Sequence, residues 1–186
     1  MSNAMPRPSL HVEPRGFVPT ARHYIRDLVY GANDGIITTF AVVAGVAGGN
    51  LSRTAVLVVG VANLAADGMS MAVGNFLSIR ANESAREADN LPEEEASPAR
   101  HAMATFLAFL VAGSLPLVPY VLPVVETARF VWSLVLTLGS LFIVGALRTV
   151  VTTDRWWRAG LEMLLLGAIV AGAAYGAGAL IAAVVE

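Results

Sequence analysis

The sequence has no cysteine and no lysine, and only 14% of its 186 residues are charged. The absence of cysteine excludes disulfides, thiolate zinc sites and cysteine nucleophiles. All twelve basic residues are arginine and the formal net charge is −2, so bulk electrostatics gives no reason to expect nucleic-acid binding. Hydrophobic residues make up 56% of the chain, and the mean hydropathy is +0.65. This composition predicts several membrane spans.

The first 21 residues precede the apolar part of the chain. Residues 1–4, followed by Met5, look like the remnant of an expression tag, and the proline- and arginine-rich segment after them predicts a disordered tail. That segment lacks the apolar stretch of a cleavable signal peptide. We therefore expect residues 22–186 to form a single membrane domain.

Apolar segments separated by polar turns predict an all-α integral membrane protein with five transmembrane helices. The predicted spans are residues 27–49, 53–80, 102–122, 130–149 and 160–184. Ser52 suits the N-cap of the second helix, and Pro116, Pro119 and Pro123 predict an irregular end to the third. Residues 81–100 form a polar, acidic connector.

The arginines predict the orientation of these spans. Ten of the twelve lie in or next to the tail, the connector or the loop after the fourth span, and only Arg53 and Arg129 fall on the other side. By the positive-inside rule, the N-terminus is cytoplasmic and the C-terminus lies outside.

The first span carries acids where a membrane helix normally has none. Asp34 begins an uncharged run of 18 residues, 35–52, and Asp27 lies two helical turns earlier, so the carboxylates share a face about 10 Å apart. Thr38 continues that face. An ionisable residue at this depth is a functional-site candidate, because its burial is costly. The alternative is that Asp34 caps the segment at the membrane interface, paired with Arg22 or Arg26.

The second span has a similar polar face. Asn63, Asp67 and Met71 recur at a spacing of four residues, and Met71 falls at about the depth of Asp34. A carboxylate with a thioether suits a borderline divalent ion such as Fe²⁺ better than Mg²⁺ or Ca²⁺. Metal entry would displace protons from a carboxylate in a low-dielectric seam. The structural alternatives are packing for Met71, a helix–helix hydrogen bond for Asn63 and an arginine partner for Asp67.

Four stretches of the sequence resemble the vacuolar iron transporter family. They read YGANDGIITTFAVVAGVAGG, GVANLAADGMSMAVGNFLS, FLAFLVAGSLPLVPYVLP and GLEMLLLGAIVAGAAYGAG. The resemblance implies a five-helix homodimer that moves Fe²⁺, often Mn²⁺ also, out of the cytosol against protons. It further implies that Asp34 and Met71 bind the metal inside the membrane, and that Asp27 is a second acid nearer the cytosol.

The chain departs from the family pattern in two places. Asn63 stands where some members have a glutamate, and the connector is too short for the glutamate-rich metal-collecting domain of long members. The chain thus resembles a short, bacterial-type member without that domain. Glu83 and Glu87 at i and i+4 could be its remnant, or part of a solvated acidic loop. His11, His23 and His101 are scattered along the sequence, and none is expected to be a ligand.

The sequence therefore predicts a proton-coupled exporter of Fe²⁺ or Mn²⁺ in the bacterial inner membrane, and not an enzyme. The metal is substrate, with no cofactor expected, and the expected partners are the lipid bilayer, protons, metal ions and a second copy of the chain. Asp67, Asn63 and Thr38 would serve the pathway or proton coupling. The alternatives are a non-transporting membrane protein for metal sensing or assembly, and an intramembrane aspartyl hydrolase, whose usual GxGD context is missing around Asp34 and Asp67.

Overall fold

The computed structural model describes residues 8–185, and these residues are almost entirely helical. The α-helices are α1 (Phe17–Gly48), α2 (Arg53–Ala88), α3 (Pro98–Gly113), α4 (Val118–Val121), α5 (Glu126–Leu147) and α6 (Trp156–Val185). Short 3₁₀ turns, Leu115–Leu117 and Arg148–Val150, follow α3 and α5.

Within residues 8–185, five helical segments are long and apolar enough to cross a membrane: Phe17–Gly48, Arg53–Ala88, Pro98–Val121, Glu126–Val150 and Trp156–Val184. The expected all-α architecture with five membrane-spanning helices is therefore confirmed at this level.

Helix α1 is the centre of the bundle. It packs against α2, α3, α5 and α6, and its apolar window is the most buried of the five. One core cluster gathers around Phe40 and Val43, with Val56, Leu117 and Ala171 from other helices. A second cluster lies around Ile36 of α1. Side chains on three sides of α1 are thus fixed by packing.

Close packing of α1 on α3 depends on glycine. A Cβ added to Gly35 would lie 3.1 Å from the Cα atom of Phe109 and closer still to its carbonyl oxygen. A Cβ at Gly31 would likewise meet the carbonyl oxygen of Thr105. Small residues let helix backbones approach closely in membrane proteins, and the first helix uses them against the third.

Helices α1 and α2 extend furthest beyond their predicted spans. Helix α1 begins at Phe17 and not near residue 27; Pro19 is tolerated because the first turn of a helix leaves its N–H groups without intrahelical partners. Helix α2 continues to Ala88, so residues 81–88 of the expected connector are helical. Hydropathy marks the part of a helix that lies in lipid, and a helix with polar side chains can continue into water.

The tail also differs from the expectation in the part that the structure describes. Residues 1–7 lie outside the described range, but residues 8–16 run alongside the connector. The Leu10 N–H donates to the Glu93 carbonyl oxygen at 2.7 Å, and the Glu93 N–H donates to the Pro8 carbonyl oxygen at 2.9 Å. The tail is thereby tied to the connector that joins α2 to α3, and we call this end of the bundle the connector end.

Two local predictions are confirmed. The Ser52 hydroxyl oxygen accepts a hydrogen bond from the Ala55 N–H at 3.3 Å, which caps α2. The third span breaks at Gly113 into a 3₁₀ turn and the short α4, where prolines remove backbone donors.

Replacing Gly35 by alanine should destabilise the fold, because the new methyl group meets the backbone of Phe109. We expect the free energy of unfolding to fall by about 1–3 kcal/mol, measured by unfolding in detergent micelles. Gly139→Ala on α5 is the matched control, since a Cβ there has no atom within 4 Å in the described chain. Equal stability of the two variants would contradict the close approach of α1 and α3.

Candidate functional site

The structure brings two predicted acids together within the spans. Asp34 on α1 and Asp67 on α2 are both half-buried, and the two helices pack against each other. The Thr38 hydroxyl donates to the backbone carbonyl oxygen of Asp34 at 2.8 Å. Asp34 and Asp67 thus form a pair of acids on two neighbouring helices, which we call the acidic seam.

Asn63 and Met71 lie one helical turn to either side of Asp67 on α2 and are half-buried as well. The amide nitrogen of Asn63 is shielded from solvent and makes no hydrogen bond to any residue between 8 and 185. The acidic seam therefore lies between a free amide donor and a thioether.

Asp27, the third predicted metal ligand, has a different environment. It is only 2% exposed, and the amide nitrogen of Asn75 donates to its Oδ1 at 2.8 Å and to the hydroxyl oxygen of Thr105 at 2.8 Å. The Nδ1 atom of His101 lies 2.5 Å from its Oδ2. Because both carboxylate oxygens have partners, the Asp27 side chain is held in one position between α1, α2 and α3.

The two glutamates proposed for cytosolic capture differ from each other. The Oε1 atom of Glu83 accepts hydrogen bonds from the Glu94 N–H at 3.1 Å and the Glu95 N–H at 2.9 Å. Glu83 therefore shapes the connector, whereas Glu87, one turn later, is exposed. Both line a cavity of about 490 Å³ that also contains Arg80 and Glu93.

The structure gathers all three histidines around one connector carboxylate. His11 Nδ1 lies 3.1 Å from Glu95 Oε1, and His23 Nε2 lies 3.5 Å from Glu95 Oε2. His101 Nε2 lies 2.8 Å from the same Oε2 atom. These four side chains line a cavity of about 800 Å³ at the connector end, and we call them the histidine cluster.

A salt bridge and hydrogen bonds hold the tail beside this cluster. Glu13 pairs with Arg100 and accepts a hydrogen bond from the Ser97 hydroxyl at 3.1 Å. Desolvation raises the pKa of Glu13, but hydrogen bonds from His11 and Ser97 and the charge of Arg100 hold the pKa below its ordinary value. Glu13 is therefore ionised at neutral pH.

Sequence reasoning missed the histidine cluster because its members come from three separate segments. His11 lies in the tail, His23 in α1, and Glu95 and His101 flank the start of α3. No regular spacing in the sequence links these residues. In addition, the tail that carries His11 was expected to be disordered. The available signal was that all three histidines fall on the side of the membrane predicted for the tail and connector.

The fold and the seam define a helical membrane protein with carboxylates inside its spans. The model of the VIT family matches residues 25–96 and 81–179. The chain therefore belongs to the VIT family.

Named relatives support this assignment. Vacuolar iron transporter 1 of Eucalyptus grandis is 26% identical over 214 residues, covering 84% of this chain and 86% of that protein. The Arabidopsis thaliana protein of the same name is 27% identical over 213 residues, covering 84% and 85%. Vacuolar iron transporter homolog 1 of Oryza sativa subsp. japonica is 39% identical over 107 residues, covering 50% and 46%.

The first of these alignments is longer than the chain itself, so the relative carries residues that this chain lacks. The two segments that match the family model overlap at residues 81–96, around the connector. The chain is thus a short member of its family.

Replacing Asn75 by alanine should destabilise the connector end, because Asp27 loses the donor to its Oδ1 in a buried position. We expect the free energy of unfolding to fall by about 1–3 kcal/mol, measured by thermal or denaturant unfolding in micelles. Asn82→Ala, at an exposed position of the same helix, should leave the stability unchanged. A similar loss in both variants would show that the Asn75 hydrogen bonds contribute nothing specific.

Proposed function

We propose that this protein transports divalent transition-metal ions, Fe²⁺ first and Mn²⁺ second, out of the cytosol in exchange for protons. The observation that carries the proposal is the acidic seam of Asp34 and Asp67, half-buried within two spans of a VIT-family chain. Placing a carboxylate at such a depth is costly, so a carboxylate found there generally belongs to an ion or proton pathway. Relatives that share most of the chain are named vacuolar iron transporters.

The proposed ligands are Asp34 and Met71, with Asp27 as an acid nearer the cytosol. A carboxylate oxygen with a thioether sulfur favours a borderline ion over Mg²⁺ and Ca²⁺. Asp67, Asn63 and Thr38 would provide the proton or ion pathway beside them. Because a carboxylate must lose its proton to bind a metal, metal entry releases protons and metal release takes them up.

The proposed direction follows from the arginines. Ten of twelve lie in or next to the tail, the connector or the loop after the fourth span, which favours a cytoplasmic location for these three segments. The connector end then faces the cytosol, and the membrane is the bacterial inner membrane. Glu87 and Glu83 would lie on the side from which the metal enters.

We also propose that the transporter is a homodimer that pairs along α1 and α2. Asp34, Asp67 and Met71 remain partly uncovered in the single chain, and an uncovered carboxylate in hydrocarbon is strongly unfavourable. A second copy would shield both seams from lipid and double the number of ligands along one pathway.

Asp34→Asn should abolish Fe²⁺ uptake into proteoliposomes with an imposed proton gradient, and Met71→Ala should weaken uptake about tenfold or more. Asn keeps the size of the side chain but removes the charge that binds the ion. Asp89→Asn, an exposed acid just after α2, is the control and should behave as wild type.

A wild-type protein that moves neither Fe²⁺ nor Mn²⁺ would overturn the transport proposal. It would favour instead a metal-sensing or assembly protein in the membrane. Full activity of Asp34→Asn would leave transport intact but remove the acidic seam from its mechanism.

The absence of cysteine from the sequence permits a direct test of the dimer. Ser70 is exposed on α2, one turn from Asp67, so Ser70→Cys should form a disulfide-linked dimer on mild oxidation in membranes. Val111, 69% exposed on α3, lies in a groove with α1 and α5, and Val111→Cys should stay monomeric on a non-reducing gel. The reverse pattern would place the interface on another face.

A further inference from the structure

The histidine cluster combines the donors of a metal site that neither the acidic seam nor the family assignment includes. One ring nitrogen each from His11 and His23, and one carboxylate oxygen from Glu95, all lie within 4.8 Å of one another. Two ligands of one ion at bonds of about 2.1 Å lie about 3.0–3.5 Å apart. His11 Nδ1 lies 3.1 Å from Glu95 Oε1 and His23 Nε2 lies 3.5 Å from Glu95 Oε2, so each histidine is at such a separation from a different oxygen of the carboxylate.

These donors are largely withdrawn from water, and Glu95 also accepts a hydrogen bond from the Ser97 N–H at 2.9 Å and faces His101. The His11 side chain is 7% exposed, that of Glu95 16% and that of His23 24%. The Nδ1 atom of His11 and the Nε2 atom of His23 make no hydrogen bond within residues 8–185. Buried polar atoms without hydrogen bonds are uncommon and call for an explanation such as a bound ion.

The outer nitrogen of His11 is held as in a metal site. Its Nε2 atom lies 3.4 Å from Glu13 Oε1, and that carboxylate is anchored by Ser97 and Arg100. A proton on Nε2 leaves a lone pair on Nδ1, which faces Glu95. Carboxylates commonly fix the tautomer of a metal-ligating histidine in this way.

We propose that His11, His23 and Glu95 bind a divalent transition-metal ion at the connector end of the bundle. Two imidazole nitrogens and a carboxylate suit Fe²⁺, Zn²⁺, Co²⁺ or Ni²⁺, and they disfavour Mg²⁺ and Ca²⁺, which prefer oxygen alone. The ion closes a ring through the tail, α1 and the connector, so binding also fastens the tail to the bundle.

His101 lies between the site and Asp27, the first acid of the first span. The side chain of His101 is 6% exposed and lies between Glu95 and Asp27, with one ring nitrogen facing each carboxylate. Asp27 lies two turns before Asp34 on α1, about 10 Å along the helix axis. The identity of the ion in cells rests on the proposed function, whereas binding at this site does not require transport.

The test is Co²⁺ binding to the full chain in detergent micelles, without a polyhistidine tag. Visible absorption reports nitrogen and oxygen ligands, and equilibrium dialysis gives the stoichiometry. The variants are His11→Gln, which alters only the tail, and Glu95→Gln, with Glu94→Gln as the matched control because Glu94 pairs with Arg86 at 2.9 Å. Asp34→Asn tests whether the acidic seam is a separate site.

We expect His11→Gln and Glu95→Gln each to weaken one class of Co²⁺ binding by about tenfold or more, since even outer-shell changes cost 10–100-fold. Glu94→Gln and Asp34→Asn should retain that class. Wild-type affinity and stoichiometry in His11→Gln and Glu95→Gln would overturn the site. Retained binding in a protein that moves no Fe²⁺ would overturn the proposed transport and leave this site standing.

Discussion

The cost of placing carboxylates inside apolar helices is the constraint on which the rest of the structure depends. The chain meets it in two ways. Asp27 is fully enclosed, with Asn75 on one oxygen and His101 on the other, and it therefore requires α2 and α3 to pack closely on α1. Asp34 and Asp67 are left half-covered, a state that hydrocarbon does not tolerate and that calls for water, an ion or a second copy. The enclosed Asp27 is suited to holding the helices together, and the half-covered Asp34 and Asp67 are suited to exchanging ions or protons.

The close packing of α1 follows from this requirement. Gly31 and Gly35 bring the backbone of α1 against that of α3, which places Asp27 within reach of His101. Larger residues would separate α1 from α3 and take His101 away from the buried carboxylate. The glycines of the first span thus allow the close helix packing that its buried acid requires. The positions of the glycines and of the acids have to be interpreted together.

Much of this was predictable because hydropathy and helical periodicity are local properties. They gave five spans, the N-cap at Ser52 and the break near Pro116. Helix ends at Phe17 and Ala88 were missed because polar helical extensions carry no hydropathy signal. The same argument covers the candidate site: Asp34 and Met71 could be matched by depth, whereas the partners of Asp27 depend on helix rotation, which a single sequence does not fix.

The histidine cluster shows why reasoning from local sequence patterns does not find a group of residues that are far apart in the chain. A ten-residue extension of α1 places His23 at the connector end, and pairing of the tail with Glu93 carries His11 to the same point. Glu83 fixes the connector by accepting two of its N–H groups, one of them from Glu95, so it also helps to position Glu95. A short connector can thus present a nitrogen-rich donor set only because the tail lies beside it. The segments that looked least structured in the sequence therefore build the most preorganised group of donors at that end of the protein.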